Sequence, residues 1–246
     1  MTLSVQTFWL PKRGNTLEEY EDAFDYSMAE YRFAIADGAT DSAFARDWAQ
    51  NLVKGFTSSP PFQVSRFGCE FHKWLQPLQS VWHEGIDWEH LPWYGLEKAQ
   101  QGAFSSLLGL EFDSMCWHAI AVGDSCFFQV RDNTLLVAFP LNRAEQFGNR
   151  PLLLSSNPAN NKREWNEILH EEGDCQHNDL FLLMTDALAH WFLAQHEAGV
   201  KPWMALWDLK SGEDFTSFIS DLRQEGLIRN DDTTLLTICH NCNTSP

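Results

Sequence analysis

The chain has 246 residues, 44% of them hydrophobic, with 17 basic against 34 acidic side chains and a formal net charge of -17. That length affords a large single core, taken here as one domain over 1-246, while so negative a chain repels phosphate backbones and excludes nucleic acid as the natural partner. No run approaches the roughly 18 apolar residues of a membrane span, and the opening MTLSVQTFWLPKRG lacks the basic-then-apolar layout of a signal peptide, so a cytoplasmic protein with no membrane partner is expected.

In chain order, TLSVQTFW (residues 2–9) alternates enough for an edge strand. Asp22–Met28 and Tyr31–Ala36 read as a hairpin around Ala29-Glu30. The second arm is an unbroken apolar run, Phe33 to Ala36, which suits a strand buried on both faces. It ends in Asp37-Gly38, and a helix follows at once: Phe44, Ala45, Trp48, Ala49, Leu52, Val53 and Phe56 share one face, with Asp41 or Ser42 as N-cap. Phe67 to Trp82 trace a second helical stripe that Pro77 should kink or break. Residues 83–95 are irregular, and Leu96, Ala99, Ala103, Leu107 and Leu108 suggest a third helix.

The period then changes to two. Cys116–Val122 and Cys126–Val130 are strands separated by Gly123-Asp124-Ser125, and Asp132-Asn133 turns the chain into a strand over Thr134–Phe139. Residues 142–178 are the least regular part, a loop with one short helix around Trp165. DLFLLMT (residues 179–185) is another buried strand ending in Asp186, followed by a helix closed by Gly199. Ser211 caps a helix bearing Phe215, Phe218, Ile219 and Leu222, which ends at Gly226. Asp231 and Asp232 then stand directly before the last strand, Thr233 to Cys239. Helices and strands come in blocks, which points to an α+β fold of antiparallel sheets covered by helices.

Six cysteines in a cytoplasmic chain are expected as free thiols. Cys239-His240-Asn241-Cys242 has zinc-ligand spacing but needs a second pair; Cys175 with His177 is the one candidate type nearby, nothing in the sequence brings it close, and a zinc site is not expected. His118 and His190 read as packed or surface residues, and Arg46, on the first helix, either reaches toward Asp37's end of the sheet or, as the favoured reading, joins a surface ion pair.

The recurring device is a carboxylate at a strand end: Glu21 and Asp22, Asp37, Asp124, Asp186, and Asp231 with Asp232. Any one is an ordinary turn or cap residue. Brought together they would raise one another's pKa unless cations occupied the centre, and all-oxygen donors select hard ions such as magnesium or manganese. Neither GxSxG nor a GxxxxGK[ST] phosphate loop is present.

The blocks EDAFDYS, FAIADGATDS, IAVGDSCFF, LFLLMTDAL and DDTTLLTI, in this order, resemble the signature blocks of the protein phosphatase 2C family, the metal-dependent PPM-type serine/threonine phosphatases, over about residues 18 to 240. The resemblance implies a four-layer α-β-β-α sandwich and a divergent, bacterial-type Mg/Mn-dependent phosphatase. Its activity would be hydrolysis of phosphoserine and phosphothreonine with a metal-bridged water as nucleophile. Asp37 then looks like the carboxylate shared by two Mg2+ or Mn2+ ions and the Gly38 carbonyl like a ligand of one. Asp186 and Asp231 resemble ligands of the other, with Asp232 the alternate to Asp231. Asp22 and Glu21 look like inner or outer ligands, and Asp124 like a holder of a third ion. Catalysis would rest on Asp37, Asp186 and Asp231. The implied partners are a phosphoprotein substrate and a cognate Ser/Thr kinase.

Departures from the family pattern point to an alternative, a weak or inactive member acting as a phosphoprotein- or kinase-binding module. Leu17 stands where the family places its phosphate-gripping arginine, and the spacing supports neither Lys12 nor Arg13 as a replacement. Ala39-Thr40-Asp41 follows Asp37-Gly38 in place of His-Gly-Gly or Met-Gly-Gly. Cys126 and Ala187 replace an arginine and a glycine of the later blocks.

Overall fold

Strand β3 (Arg32–Ala36) is buried at every residue because each of its faces meets a different core. Phe33 and Ile35 enter one, Ala34 and Ala36 the other. A computed structural model of the chain describes residues 2–58, 67–148, 151–161 and 168–240. In it β3 belongs to an antiparallel sheet ordered β10-β6-β5-β3-β2, built from β2 (Ala23–Ser27), β5 (Leu107–Asp113), β6 (Cys116–Val122) and β10 (Leu169–Asp174). A second antiparallel sheet, ordered β1-β12-β11-β7-β8, contains β1 (Leu3–Leu10), β7 (Cys126–Arg131), β8 (Thr134–Phe139), β11 (Leu180–Met184) and β12 (Thr233–His240). A two-residue ladder joins β4 (Phe104–Ser105) to β9 (Leu154–Ser155).

Three cores define four layers. Between the sheets Phe33, Ile35, Trp117, Phe127, Phe181 and Ile238 interdigitate. Outside the first sheet, α1 (Ala45–Ser58) and α2 (Phe67–Glu84) pack Trp48, Leu52, Phe56 and Phe71 onto Ala34, Ala36 and Ile120. Outside the second, α4 (Asp186–Glu197), α5 (Pro202–Trp207) and α6 (Gly212–Gln224) pack Phe192, Trp203 and Phe215 onto Phe128, Leu182 and Leu235. Each such side chain contributes about 1.5–3 kcal/mol when fully buried. The expected α-β-β-α sandwich is what the chain forms.

Several boundaries differ from the sequence reading. Helix α3 (Trp93–Gln101) stops at Gly102, and Leu107 and Leu108 belong to β5, where they pair with Val122 and Ala121. A strand, β10, lies within the stretch expected to be irregular. It carries LHEEGD, mostly exposed, because an edge strand open to water needs no apolar alternation. Helix α2 runs through Pro77. Helix α1 begins at Ala45, and Ser42 is not its cap: its Oγ accepts from Phe104 N (3.2 Å) and donates to Ala39 O (2.8 Å). Ser211 does cap α6, accepting from Asp214 N at 3.1 Å. Cys239 is disulfide-bonded, against the expectation of free thiols, whereas Cys116, Cys126 and Cys175 are free. Trp165 and Cys242 lie outside the described residues. No described helix is long and apolar enough to cross a membrane.

Candidate metal centre

Strand register brings the aspartates together. Ala23 pairs with Ala36, so Asp22 and Asp37, one residue beyond that pair, leave the first sheet side by side. In the second sheet Met184 pairs with Leu235, Thr185 N reaches Thr234 O at 3.3 Å, and Asp186 opens α4 beside the start of β12. The turn Gly123-Asp124-Ser125 crosses from β6 in one sheet to β7 in the other. It can be tight because Gly123 adopts φ +103°, and a Cβ there would meet Ser106 Cβ at 2.6 Å. Gly38 is confined in a different way: its Cβ would meet Glu21 O at 2.7 Å and Ala45 O at 3.0 Å, so only glycine lets β3, α1 and the Glu21 backbone converge.

Asp37 reports the cluster. Burial pushes its carboxyl well above the usual range, and the charges of Asp22, Asp186, Asp124 and Asp231 add to the push. Burial also raises Asp22, opposed by the hydroxyls of Thr234 and Thr185 and aided by Asp232. Asp124 is raised to about 6 by burial, then by Asp186. Asp186 is raised by burial while Arg229 pulls the other way. Glu21 stands apart on the rim, its carboxylate 3.5 Å from Lys12 Nζ.

Adjacent Asp231 and Asp232 divide their roles. Asp232 is buried and spends both oxygens on backbone N–H groups, Lys12 N at 2.8 Å and Glu21 N at 2.7 Å. It ties the first sheet's entry to the second sheet. Asp231 is the one whose charge reaches Asp37, Asp124 and Asp186.

Hydroxyl groups absent from the sequence reading hold the carboxylates in place. Thr234 Oγ1 is bonded to Asp22 Oδ2 at 2.6 Å and to the buried Tyr20 hydroxyl at 2.5 Å. Ser105 Oγ and Ser106 N donate to Asp37 O at 2.8 and 2.9 Å, Asp37 N donates to Ser106 Oγ at 2.9 Å, and Ser106 Oγ meets Ser125 Oγ at 2.8 Å. A polar residue inside an apolar run, as at Thr234, was the one available signal.

Two carboxylate oxygens in this cluster, Asp22 Oδ1 and Asp186 Oδ1, are buried with no hydrogen-bond partner. The other oxygen of Asp186 is paired with Arg229 Nη2. Among the described residues no three His, Cys, Asp or Glu side chains are arranged to hold a metal ion as they stand. The donor chemistry nevertheless fits a hard cation: orphaned, mutually repelling carboxylate oxygens with one guanidinium as the cation bonded to Asp186.

Two cations stand at the rim. Lys12 Nζ sits 3.1 Å from Thr40 Oγ1, beside Gly38, although chain spacing argued against it. Arg46 makes no ion pair among the described residues; its Nη1 donates to the carbonyls of Leu17 (3.2 Å) and Glu18 (3.1 Å). These groups border an open cleft of about 810 Å³ lined also by Glu21 and Phe44. Leu17 is exposed. Cys126, by contrast, is fully buried and its thiol is pushed up by burial.

This sandwich, with carboxylates from both sheets at one end, is the fold of the PPM-type (protein phosphatase 2C) enzymes. The catalytic domain of the serine/threonine protein phosphatase PstP, solved in complex with two manganese ions, matches with a TM-score of 0.62 at 15% identity, over 97% of this chain and 99% of that one. The serine/threonine phosphatase Stp1 from Staphylococcus aureus matches with a TM-score of 0.65 at 13% identity, over 97% and 95%. PppA, a regulatory component of T6SS in Pseudomonas aeruginosa, matches with a TM-score of 0.63 at 14% identity, over 97% of each chain. No protein-family model and no curated protein matches the sequence.

Proposed function

We propose that the chain is a metal-dependent phosphoprotein phosphatase acting on phosphoserine or phosphothreonine. The observation that carries this reading is the pair of buried, unpartnered oxygens, Asp22 Oδ1 and Asp186 Oδ1, within a cluster of carboxylates drawn from both sheets. Desolvated carboxylates without a counter-ion cost several kcal/mol, and a fold keeps them where a cation repays that cost. The likeness to solved serine/threonine phosphatases, one of them holding two manganese ions, agrees with it.

Asp37, the Gly38 carbonyl, Asp22 and Glu21 would hold one Mg2+ or Mn2+ ion, Asp37, Asp186 and Asp231 a second, and Asp124 a third, weaker one. Ions held there would supply a lowered water pKa and charge neutralisation for phosphoryl oxygens. The chain's own groups do the rest. Asp232 and the serines at 105, 106 and 125 fix the backbone from which the carboxylates project. Lys12, at the mouth, offers a point charge to an incoming phosphate while Glu21 tethers it.

A second reading, a binding module without turnover, is favoured by one observation: Arg229 already neutralises Asp186. The two readings separate on hydrolysis of para-nitrophenyl phosphate by wild type and Asp37→Asn, with manganese titrated against a chelator and metal binding followed by calorimetry. Manganese-dependent turnover lost in Asp37→Asn supports the phosphatase. Metal binding without turnover supports the module, and neither one overturns both metal-based readings.

A further inference from the structure

A second cleft, about 620 Å³ in volume, lies between the loop 10–17 and α6 and includes Lys12, Arg13 and Arg223 in its lining. None of its lining residues is Asp or Glu, in a chain with twice as many acidic as basic side chains. The guanidinium of Arg13 is exposed and has no bonded partner among the described residues; only its backbone is tied, to Asn230 Oδ1 at 2.7 Å and Asn230 Nδ2 at 3.1 Å. Arg223 is half-buried and spends its guanidinium on neutral oxygens, Pro11 O at 2.8 Å, Asp231 O at 2.5 Å and Thr233 Oγ1 at 3.3 Å, while its buried Nε has no partner. Burial lowers the Arg223 pKa, the carboxylates of Asp232 and Asp231 oppose that, and the Arg13 guanidinium adds a smaller repulsion. Asp232, behind the cleft, has both oxygens occupied by backbone N–H groups. Lys12 is shared with Glu21 at 3.5 Å and Arg223 with the charges of Asp232 and Asp231, so Arg13 is the cation of this cleft left to meet an incoming anion.

Lys12 and Asn15 line both this cleft and the one that holds Glu21 at the rim of the carboxylate cluster, so the two clefts adjoin at the surface. We propose that the basic cleft receives an acidic stretch of the substrate polypeptide, Asp or Glu side chains flanking the phosphorylated residue. The proposal rests on the phosphatase reading above and adds a substrate class to it. It also gives a strongly acidic enzyme a local means of approaching an acidic substrate that its net charge otherwise repels.

The test compares three fluorescent phosphothreonine peptides of equal length whose flank carries three Asp, three Asn, or a second phosphothreonine. Each is measured for KM and kcat with manganese and for binding by anisotropy. Wild type should favour the Asp flank over the Asn flank by roughly tenfold in KM with little change in kcat, a preference that fades at high salt. Arg13→Glu, at an exposed side chain with no hydrogen bond or ion pair to lose among the described residues, should abolish that preference, and Arg13→Lys should restore most of it. Equal KM values for Asp and Asn flanks, or a preference that survives Arg13→Glu, overturns the proposal. A gain from the second phosphate with none from Asp overturns it in favour of a phosphate subsite. Were no peptide hydrolysed, anisotropy still reads the cleft: tighter, Arg13-dependent binding of the Asp peptide supports acidic docking while the phosphatase reading fails, and equal binding overturns both.

Discussion

The hydroxyl of Thr234, at the start of β12 in one sheet, donates to Asp22 Oδ2 at 2.6 Å at the entry to the other sheet. Its lone pair faces the buried Tyr20 hydroxyl at 2.5 Å. Asp22 Oδ2 is thereby fixed, and Oδ1 is the oxygen left for a cation. Thr234→Val keeps the shape and removes both bonds, so two buried polar groups lose a partner. The expected loss is about 1–3 kcal/mol of stability, read by urea denaturation, with manganese affinity falling in calorimetry. Unchanged affinity would separate the Tyr20–Thr234 pair from the site.

Arg229 is paired with Asp186 and half exposed. An ion at Asp186 must compete with it. Arg229→Gln should raise manganese affinity, by about tenfold for a contact of roughly 1 kcal/mol or a little more, and slightly lower the stability of the metal-free chain. Weaker manganese binding by the variant would show instead that Arg229 supports the occupied site.

The raised carboxyls set a pH dependence. Asp124 holds its proton up to about 6 in the folded chain against 3.8 ordinarily. Between those values the folded state binds more protons than the unfolded state, so stability falls as pH rises. This group alone contributes on the order of 2–3 kcal/mol, and Asp22 and Asp37, raised in the same direction by burial, add to the loss. Thermal melts of the metal-free chain should show Tm decreasing from pH 4.5 towards 7.5, and manganese should raise Tm more at pH 7.5 than at 5.

Gly38→Ala places a Cβ 2.7 Å from the Glu21 carbonyl oxygen. Backbone on both sides has nowhere to go, so a loss of about 2–3 kcal/mol is expected, within the range of overpacking. It should appear as a lower urea midpoint accompanied by weaker manganese binding, since the shift separates Glu21–Asp22 from Asp37. A midpoint equal to wild type would mean that β3 and α1 can part locally.

Much of this molecule was legible beforehand. Phe33–Ala36 and Leu180–Met184 read as doubly buried strands because each residue meets a core whichever way it points, and a run that never turns polar records that. The amphipathic stripe from Ala45 to Phe56 recorded α1 in the same way. β10 left no such record: its exposed Leu-His-Glu-Glu is specified by the partner strand β6, not by its own composition. The end of α3 was misplaced because Leu107 and Leu108 continue a helical spacing that pairing with β6 overrides.

By itself the sequence determined the layers, through apolar periodicity, and the positions of the aspartates that end or open the buried strands, since a carboxylate without a partner is costly inside them. What only the tertiary structure decided is which groups face one another. Asp231 and Asp232 are told apart by two backbone N–H groups distant in the chain, those of Glu21 and Lys12, which occupy both carboxylate oxygens of Asp232. The placement of Lys12 and Arg229 around the cluster is decided by loops whose local sequence carries no period, and that of Arg223 by how the last turn of α6 meets the ends of β1 and β12. Short-range patterns encode which side of an element is buried, whereas charge pairing depends on distances through space that no spacing along the chain records.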